Sequence, residues 1–145
     1  MIAVDTNILV YAHRREVAEH EAAFRTLAML AGSKVHWAIP WPCVFEFLSV
    51  VTNPKIWRDA ASSQTQAWSQ VEAWTSSPSL ILLSEPPDFT AILKPLVKRS
   101  RVIGGVVHDA RVAAICIAHG VDALLSRDRD FSLFPELTVK NPLQD

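Results

Sequence analysis

Four acidic side chains either follow short apolar runs of the sequence or lie in apolar helical segments. They are Asp5, Glu46, Asp109 and Asp128. An ionised carboxylate among apolar neighbours is costly unless it is paired with a cation or binds a metal ion. Asp5 and Asp128 also stand just beyond predicted strands, where ligands usually bind in open α/β folds. These acids are therefore the residues best suited to chemistry.

A group of carboxylates around one pocket indicates a site for a hard divalent cation. Carboxylates repel one another, and Mg²⁺ and Mn²⁺ prefer oxygen ligands, so such a cation stabilises the group. One or two bound cations activate water for attack on a phosphodiester and stabilise the leaving oxygen. The formal net charge is −1, whereas proteins that grip nucleic acid by charge alone are usually strongly basic. A nucleic-acid substrate therefore needs another source of positive charge, and a bound metal cluster is one such source.

Strands that alternate with helices must position these acids. The hydrophobic pattern predicts strands at residues 2–4, 36–39, 80–83, 123–125 and 138–140. It predicts helices at residues 7–13, 16–30, 43–51, 62–75, 88–98 and 107–119. This alternation favours an α/β sandwich with a mainly parallel central sheet.

Length and composition favour one globular domain that spans residues 1–145. Half of the residues are hydrophobic and 20% are charged, a balance that allows a buried core. Cys43 and Cys116 are isolated in apolar helical segments, so we predict core-filling thiols and neither a disulfide nor a thiolate metal site. No apolar run reaches membrane-spanning length and the first residues lack a basic signal region, so we expect a cytoplasmic protein.

Each acid also has a structural interpretation. Asp5 is a favoured N-cap for a helix that starts at Thr6. Asp109 and Asp128 suit cap and turn positions. Glu46 has apolar neighbours on both sides, although a helix can still turn this one residue toward solvent. Taken singly the acids favour structural roles, whereas their combination favours a catalytic cluster.

Aromatic and basic side chains are further candidates for contact with RNA. Aromatic rings stack on the bases of single-stranded RNA, but the helical spacing of Trp68 and Trp74 favours packing, and we prefer packing for Trp41 and Trp57 as well. Basic side chains bind phosphates or remain solvated charges. Those near the acids or in the basic segment 98–101 are Arg14, Arg15, Lys98, Arg99, Arg101, Arg127 and Arg129. As RNA-binding candidates we select Arg99, Arg101 and Arg127. The five histidines show no ligand spacing.

Four motifs occur in order along the chain: VDTNIL at residues 4–9, the internal Glu46, HDARVAA at residues 108–114 and LSRDRDF at residues 125–131. Together with FSLFP at residues 131–135 and NPL at residues 141–143, they resemble the PIN-domain family, most closely its VapC toxins. The resemblance spans essentially the whole chain. It implies a PIN-like three-layer α/β/α sandwich with a mainly parallel central sheet.

The resemblance also implies roles for individual residues. The family's catalytic acids match Asp5, Glu46, Asp109 and Asp128. Its metal ligands match Asp5, Asp109 and Asp128. Its supporting polar residues match Thr6, Asn7 and Ser126, where Ser126 keeps the hydroxyl of the usual Thr. Asp130 is a further candidate acid at the edge of the metal site.

By this resemblance we expect a Mg²⁺- or Mn²⁺-dependent endoribonuclease that is the toxin of a VapBC-type toxin–antitoxin system. Its substrate would be a structured RNA such as tRNA or rRNA, and cleavage would inhibit translation. The expected partners are a second copy in a homodimer and a VapB-like antitoxin, whose C-terminal segment brings an Arg toward the acids. For the dimer, the Trp-bearing helix at residues 62–75 and the apolar face of residues 44–51 offer surface to bury.

Two other functions remain open. A haloacid-dehalogenase-like phosphatase also starts with a strand that ends in Asp, but that family has a second Asp two residues later, where this chain has Asn7. A catalytically degenerate PIN fold that only binds RNA or a partner would be expected to have lost one or more of the four acids, and all four are present. An assay of metal-dependent RNA cleavage, run beside phosphatase substrates, distinguishes the three functions.

Overall fold

All strand pairs of the central sheet are parallel in the part of the chain that the computed structural model describes, residues 1–99 and 101–144. The strands are β1 (Ile2–Val4), β2 (Trp37–Pro40), β3 (Leu80–Leu83), β4 (Ala123–Leu125) and β5 (Val139–Lys140). Their order across the sheet is β3-β2-β1-β4-β5. The predicted α/β fold with a parallel sheet is confirmed, and each strand lies within one residue of its predicted bounds.

Helices form the connections between the strands. They are α1 (Thr6–His13), α2 (His20–Gly32), α3 (Trp41–Val51), α4 (Pro54–Trp57), α5 (Gln64–Thr75), α6 (Phe89–Val97) and α7 (Val106–Ala118). α1, α2, α3 and α5 form one packed group, and α6 packs against α7. Because parallel crossovers are right-handed and the strand order reverses after β3, the two groups cover opposite faces of the sheet. The two helix groups and the sheet between them form the three layers of the expected α/β/α sandwich.

Local sequence signals explain where several helices begin and end. α5 starts with a capping box, in which Ser63 and Gln66 each bond the other's backbone N–H. Gly120 follows α7 with φ +65°, a left-handed conformation that favours glycine. The side chain of Asn53 accepts from the backbone N–H of Lys55 at 2.9 Å and so starts the short α4.

The predicted start of α2 at residue 16 is wrong. Residues 15–19 form turns, in which the backbone N–H of His20 donates to the carbonyl of Val17 at 3.2 Å. Arg14 Nε donates to the carboxylate of Glu16 at 2.7 Å. Side chains two positions apart do not face each other on a helix, so this ion pair suits a turn. The helix therefore begins only at His20.

β1 is the strand at which the chain reverses its direction across the sheet. β2 and β3 lie on one side of it, and β4 and β5 lie on the other. Such a switch point leaves a crevice beyond the carboxyl ends of the strands. The register pairs Val4 with Leu125, and the backbone N–H of Asp5 donates to the Leu125 carbonyl at 3.0 Å. Asp5 and Ser126, the next residues, therefore meet at this crevice.

α3 contributes an apolar face to the core. Val44 and Val51 are buried on it, as is Phe47. The Phe47 ring contacts His13 of α1 and Trp74 of α5 edge-on, with centroids 5.3 and 4.9 Å apart. Packing of Trp74 is thus confirmed. The prediction that residues 44–51 offer an apolar face to a dimer is wrong, because the chain's own packing occupies that face.

Two other sequence predictions concern buried thiols and membrane spans. Cys43 and Cys116 are buried free thiols, as predicted. Among the described residues, no helix combines the length and the apolar character needed to cross a bilayer. Trp68, for which packing was also predicted, is 42% exposed on α5.

Replacing Phe47 with Ala tests how much the packing of its ring between α1, α3 and α5 contributes to stability. We expect Phe47→Ala to lower the free energy of unfolding by about 3–5 kcal/mol, because it empties a fully buried site. Phe45→Ala is the matched control on the same helix: its ring is 60% exposed, so the loss should stay below about 1 kcal/mol. Urea unfolding followed by circular dichroism measures both, and equal losses would contradict the assignment.

Candidate active site

One cavity of about 270 Å³ brings together the four acids singled out from the sequence. Its acidic lining residues are Asp5, Glu46, Asp109 and Asp128. They come from the β1–α1 junction, α3, α7 and the segment after β4. Thr6 and Asn7 also line this cavity, which we call the acid cavity. Residues from distant parts of the sequence thus converge at the predicted edge of the sheet.

Asp5 lies at the base of the acid cavity and is held by three donors. Its carboxylate accepts hydrogen bonds from Ser126 Oγ at 2.7 Å, Asn7 Nδ2 at 3.4 Å and Cys43 Sγ at 3.5 Å. Burial raises its pKa, and the bond from Ser126 opposes that shift. Its side chain makes no cap bond to α1. The simple N-cap interpretation of Asp5 therefore does not describe its contacts.

The supporting polar residues form a network between the ends of β1 and β4. Asn7 Nδ2 donates to Ser126 Oγ at 3.2 Å, and Asn7 Oδ1 accepts from the backbone N–H of Arg127 at 3.2 Å. Ser126 Oγ also accepts from the backbone N–H of Asp128 at 3.0 Å. The hydroxyl of Ser126 thus links the first and the last of the four acids.

Glu46 is more exposed than its apolar sequence neighbours suggest. α3 turns its neighbours Val44 and Phe47 into the core, and Glu46 lies on the opposite, exposed side. The expectation of a buried charge is wrong, because helical periodicity separates adjacent residues. Thr6 Oγ1 donates to its carboxylate at 3.3 Å. Partial desolvation at the cavity, followed by the negative charge of Asp5, raises the pKa of Glu46.

Three carboxylates lie close enough to share one cation. One oxygen from each of Asp109, Asp128 and Asp130 lies within 4.8 Å of the others. Burial, followed by the negative charges of Asp128 and Asp5, raises the pKa of Asp109 to about 7. Asp130 thus joins the acids, whereas Asp5, a predicted metal ligand, lines the same cavity without belonging to this group of three.

Asp128 also has the structural role that its position suggests. Its Oδ1 accepts from the backbone N–H of Asp130 at 2.9 Å and caps the short 3-10 helix Arg129–Leu133. This bond fixes the direction of the chain just after β4. Cap and acid functions are therefore combined in one residue, because a carboxylate has a second oxygen that is free for another partner.

An aromatic and apolar wall of the acid cavity was missed in the sequence. It is formed by Val10, Tyr11, Val50 and Trp57. Val10 and Tyr11 follow Asn7 by three and four positions, and Val50 follows Glu46 by four, so helical spacing is the signal that places them on the same faces. Trp57 lies on α4, which the sequence pattern did not predict, and no such signal was available for it.

Several basic candidates are held by protein groups. Arg14 is only 6% exposed, and it donates to Glu16 and to the Ala60 carbonyl at 2.8 Å, so the interpretation as a solvated charge is wrong for it. Arg127 Nη1 donates to Glu19 at 3.0 Å and to Tyr11 Oη at 3.2 Å. Both guanidiniums thus lie behind the wall of the acid cavity, each neutralised by a glutamate.

The other two RNA-binding candidates lie outside the lining of the acid cavity. Arg99 pairs with Glu136 and donates to the Leu133 carbonyl at 3.1 Å. Arg101 is exposed, in the left-handed region with φ 76°. The structure therefore does not bring Arg99 or Arg101 to the acids.

Two further cavities adjoin the acid cavity through shared lining residues. One of about 560 Å³ shares Asp128, and one of about 360 Å³ shares Glu46 and Asp109. Both carry basic side chains: Arg127 and Arg129 in the first, His108 and Arg111 in the second. The acids thus lie between two recesses that contain groups able to bind phosphate.

Comparison with known proteins gives a consistent family assignment. The model of the PIN domain matches residues 2–137. The VapC ribonuclease Mb2897 of Mycobacterium bovis is 31% identical over 143 residues, which cover 99% of this chain and 96% of that protein. Ribonuclease VapC48 of Mycobacterium tuberculosis is 29% identical over 140 residues, 95% of this chain and 94% of the relative.

Solved structures share the fold. The VapBC2 complex of Rickettsia felis, bound to a DNA fragment from its promoter, matches with a TM-score of 0.69 and 21% identity over 97% of this chain and 98% of that chain. The sarcin-ricin loop cleaving toxin VapC20 of Mycobacterium tuberculosis matches with a TM-score of 0.68 and 18% identity, over 91% and 93%. From the family match and the full-length relatives, the chain belongs to the PIN-domain family and, within it, to the VapC ribonucleases.

Proposed function

We propose that this protein is a Mg²⁺- or Mn²⁺-dependent endoribonuclease, the toxin of a VapBC-type pair, and that it inhibits translation by cutting a structured RNA such as tRNA or rRNA. The observation that carries the proposal is the crowding of carboxylates that raises the pKa of Asp109 to about 7. Crowded acids destabilise the fold unless a bound cation relieves their repulsion, so such a group indicates a site for a cation. The names of the full-length relatives, which are ribonucleases, support the nuclease part of the proposal.

The donor set fits a divalent cation. Three carboxylate oxygens within 4.8 Å of one another match the all-oxygen coordination of Mg²⁺ and Mn²⁺. Asp109, Asp128 and Asp130 would hold the cation, with Asp5 on the same cavity as a further ligand. A bound cation lowers the pKa of water and offsets negative charge at the phosphate.

The chain's own residues orient the acids and move a proton. Ser126 and Asn7 fix the Asp5 carboxylate, and Thr6 fixes Glu46. Glu46 is the candidate proton acceptor for the attacking water, because it lies at the cavity and its raised pKa brings it nearer to neutral pH. We assign Glu46 to proton transfer. Asp109, Asp128 and Asp130 are assigned to the cation, with Asp5 as a further ligand.

A polymeric substrate fits the row of three cavities. The acids lie in the middle cavity, and each outer cavity carries basic side chains. An RNA chain that passes from one outer cavity to the other places phosphates at both basic groups and one phosphate at the acids. This arrangement favours cleavage within a chain. Arg129 is the phosphate contact we propose on one side, because Arg127, which lines the same cavity, is paired with Glu19.

Two protein partners complete the proposal. A VapB-like antitoxin would insert an arginine among the acids, since a guanidinium makes paired, charge-assisted bonds to carboxylates. A second copy would bury exposed apolar side chains of α2 and α5. The most exposed of these are Phe24 at 58%, Met29 at 68% and Trp68 at 42%. This surface replaces the face of α3, which is buried within the chain.

The first prediction separates a metal ligand from a structural acid. Asp5→Asn keeps the shape of the side chain and removes its charge, so the metal-free variant should be at least as stable as wild type. Mn²⁺ at 10- to 100-fold above its Kd should stabilise wild type by about 1.4–2.7 kcal/mol and the variant much less. RNA cleavage should fall at least about 100-fold. Thermal melting with and without Mn²⁺, beside a cleavage assay, measures all three quantities.

The matched control for this experiment is Asp88→Asn. Asp88 is exposed and makes no cap bond to α6, so its replacement should leave metal binding and cleavage unchanged. A variant Asp5→Asn that cuts RNA at the wild-type rate, or whose inactivity follows a large loss of metal-free stability, contradicts the assignment. Wild type that binds RNA with Mn²⁺ but leaves it intact would be a degenerate PIN module, and hydrolysis of phosphate monoesters alone would favour a phosphatase.

The second prediction follows from the raised pKa of Asp109. Below its ordinary pKa of 3.8 both the folded and the unfolded chain hold the proton, whereas between about 4 and 7 the folded chain holds it more tightly. The free energy of unfolding of the metal-free protein should therefore fall as the pH rises through this window. Asp109→Asn should be more stable than wild type by about 1 kcal/mol at pH 8, a figure reduced for solvent screening of this half-buried group, and nearly equal at pH 4.

Urea unfolding in the presence of a chelator, at pH 4 and at pH 8, tests this prediction. An equal effect of Asp109→Asn at both pH values would mean that the repulsion is absent. Asp88→Asn again serves as the control. Asp88 is exposed, and it does not belong to the group of three carboxylates found among the described residues.

The third prediction concerns assembly. Light scattering of the chain alone at micromolar concentration, with and without Mn²⁺, should give twice the 16.1 kDa mass of one chain. Co-expression with the small protein encoded beside it should give a larger complex without ribonuclease activity, and replacing the Arg of that partner's C-terminal segment should restore cleavage. A monomer in every condition argues against the homodimer, and unchanged activity in the complex argues against the antitoxin.

A further inference from the structure

The acid cavity has two chemically different parts. Carboxylates line one part, and the side chains of Tyr11, Trp57 and two valines line the other. Metal binding and proton transfer need only the carboxylates. A partly exposed tryptophan beside a charged site has no role in that chemistry, so the aromatic part requires a separate explanation.

The two aromatic rings are held in place before any ligand binds. Arg14 Cζ lies 4.1 Å from the centroid of the Trp57 ring, and Trp57 Nε1 donates to the Val50 carbonyl at 2.9 Å. Arg127 Cζ lies 5.8 Å from the centroid of the Tyr11 ring, and Arg127 Nη1 donates to the Tyr11 hydroxyl at 3.2 Å. The guanidinium of Arg14 covers one face of the indole. A ligand in the cavity therefore meets the remaining face or the edge of a fixed ring.

Fixed aromatic rings are suited to binding a flat, uncharged group. Ordering them costs little entropy on binding, because their orientation is already set. A nucleotide combines a phosphate, which would lie at the acids, with a flat base attached through the same sugar. Stacking of a base on an aromatic ring is tolerant of sequence and is a common mode of binding to single-stranded RNA. Both parts of the cavity thus match the two parts of one nucleotide.

We propose that Trp57 stacks on the base of a nucleotide next to the scissile phosphate, with Tyr11 completing the wall of this base subsite. The proposal rests on the proposed ribonuclease function and adds to it a residue that positions the RNA. Because stacking reads no base edge, Trp57 contributes affinity at this position rather than a choice among the four bases.

The test uses a 30-nucleotide RNA that forms a stem and a single-stranded loop, a structured substrate as proposed above, and its cleaved bond is mapped first with wild-type protein in Mn²⁺. Trp57→Leu should raise KM by roughly 5- to 100-fold with kcat within about 3-fold, the range that loss of one stacked base gives. Trp57→Phe keeps an aromatic plane without the bond to Val50 and should retain most of the affinity. Titration calorimetry should give the same Mn²⁺ affinity for all three proteins.

A substrate change tests the same contact without altering the protein. An abasic nucleotide at the position next to the cleaved bond should raise KM of wild type by a similar factor. Combined with Trp57→Leu, it should raise KM no further, because the two changes remove one interaction. This arm remains informative if Trp57→Leu does not fold. Ile56→Ala is the control on the same short helix, since Ile56 is 53% exposed on α4 outside the lining of the cavity.

The outcomes separate this proposal from the proposed function. If wild type cuts no RNA in Mn²⁺ or Mg²⁺, the ribonuclease function itself fails. If wild type cuts RNA and both Trp57→Leu and the abasic substrates keep the wild-type KM, only the base subsite fails. If Trp57→Leu weakens binding of the adjacent small protein but leaves KM for RNA unchanged, the wall binds a protein partner and the proposal is overturned.

Discussion

The pairing of β1 with β4 is the constraint on which the candidate site depends. It places the ends of the two strands side by side, so the hydroxyl of Ser126 reaches the carboxylate of Asp5 at 2.7 Å. The same hydroxyl accepts from the backbone N–H of Asp128. A shift of one residue in this register would turn Asp5 or Ser126 to the other face of the sheet. The geometry of the acids therefore follows from a backbone interaction.

Basic side chains around the site are paired with acids, whereas the acids of the cavity are clustered together. The acids are concentrated in one cavity, whereas Arg14 and Arg127 are paired with Glu16 and Glu19. Such pairing removes net positive charge near the acids and leaves their mutual repulsion uncompensated within the chain. A folded protein retains such repulsion only where a bound cation or a positively charged group of a partner relieves it. The near-neutral net charge of the chain thus conceals a strongly uneven distribution.

The sheet and most helices are predictable because short-range periodicity and caps determine them. The four acids could also be predicted, because Asp5 and Asp128 follow strands and Glu46 and Asp109 lie in apolar helical segments. The burial of Glu46 was misjudged, since neighbours in sequence are not neighbours around a helix. The contacts of Trp57 and Arg14 could not be predicted, because α4 has only four residues and the turn after α1 depends on an ion pair. Contacts made by irregular segments leave no periodic signal in the sequence.

Asp5 and Ser126 are in contact although 121 positions separate them along the chain. Contacts of such high sequence separation form late in folding, since a long loop must close first. During synthesis the ribosome releases β1 and α1 long before α7 and β4. Until β4 emerges, Asp5 has neither its hydroxyl donor nor two of the other acids beside it. A nascent or truncated chain therefore carries only Asp5 and Glu46 of the four acids, and the complete group assembles only when translation of the chain is nearly finished.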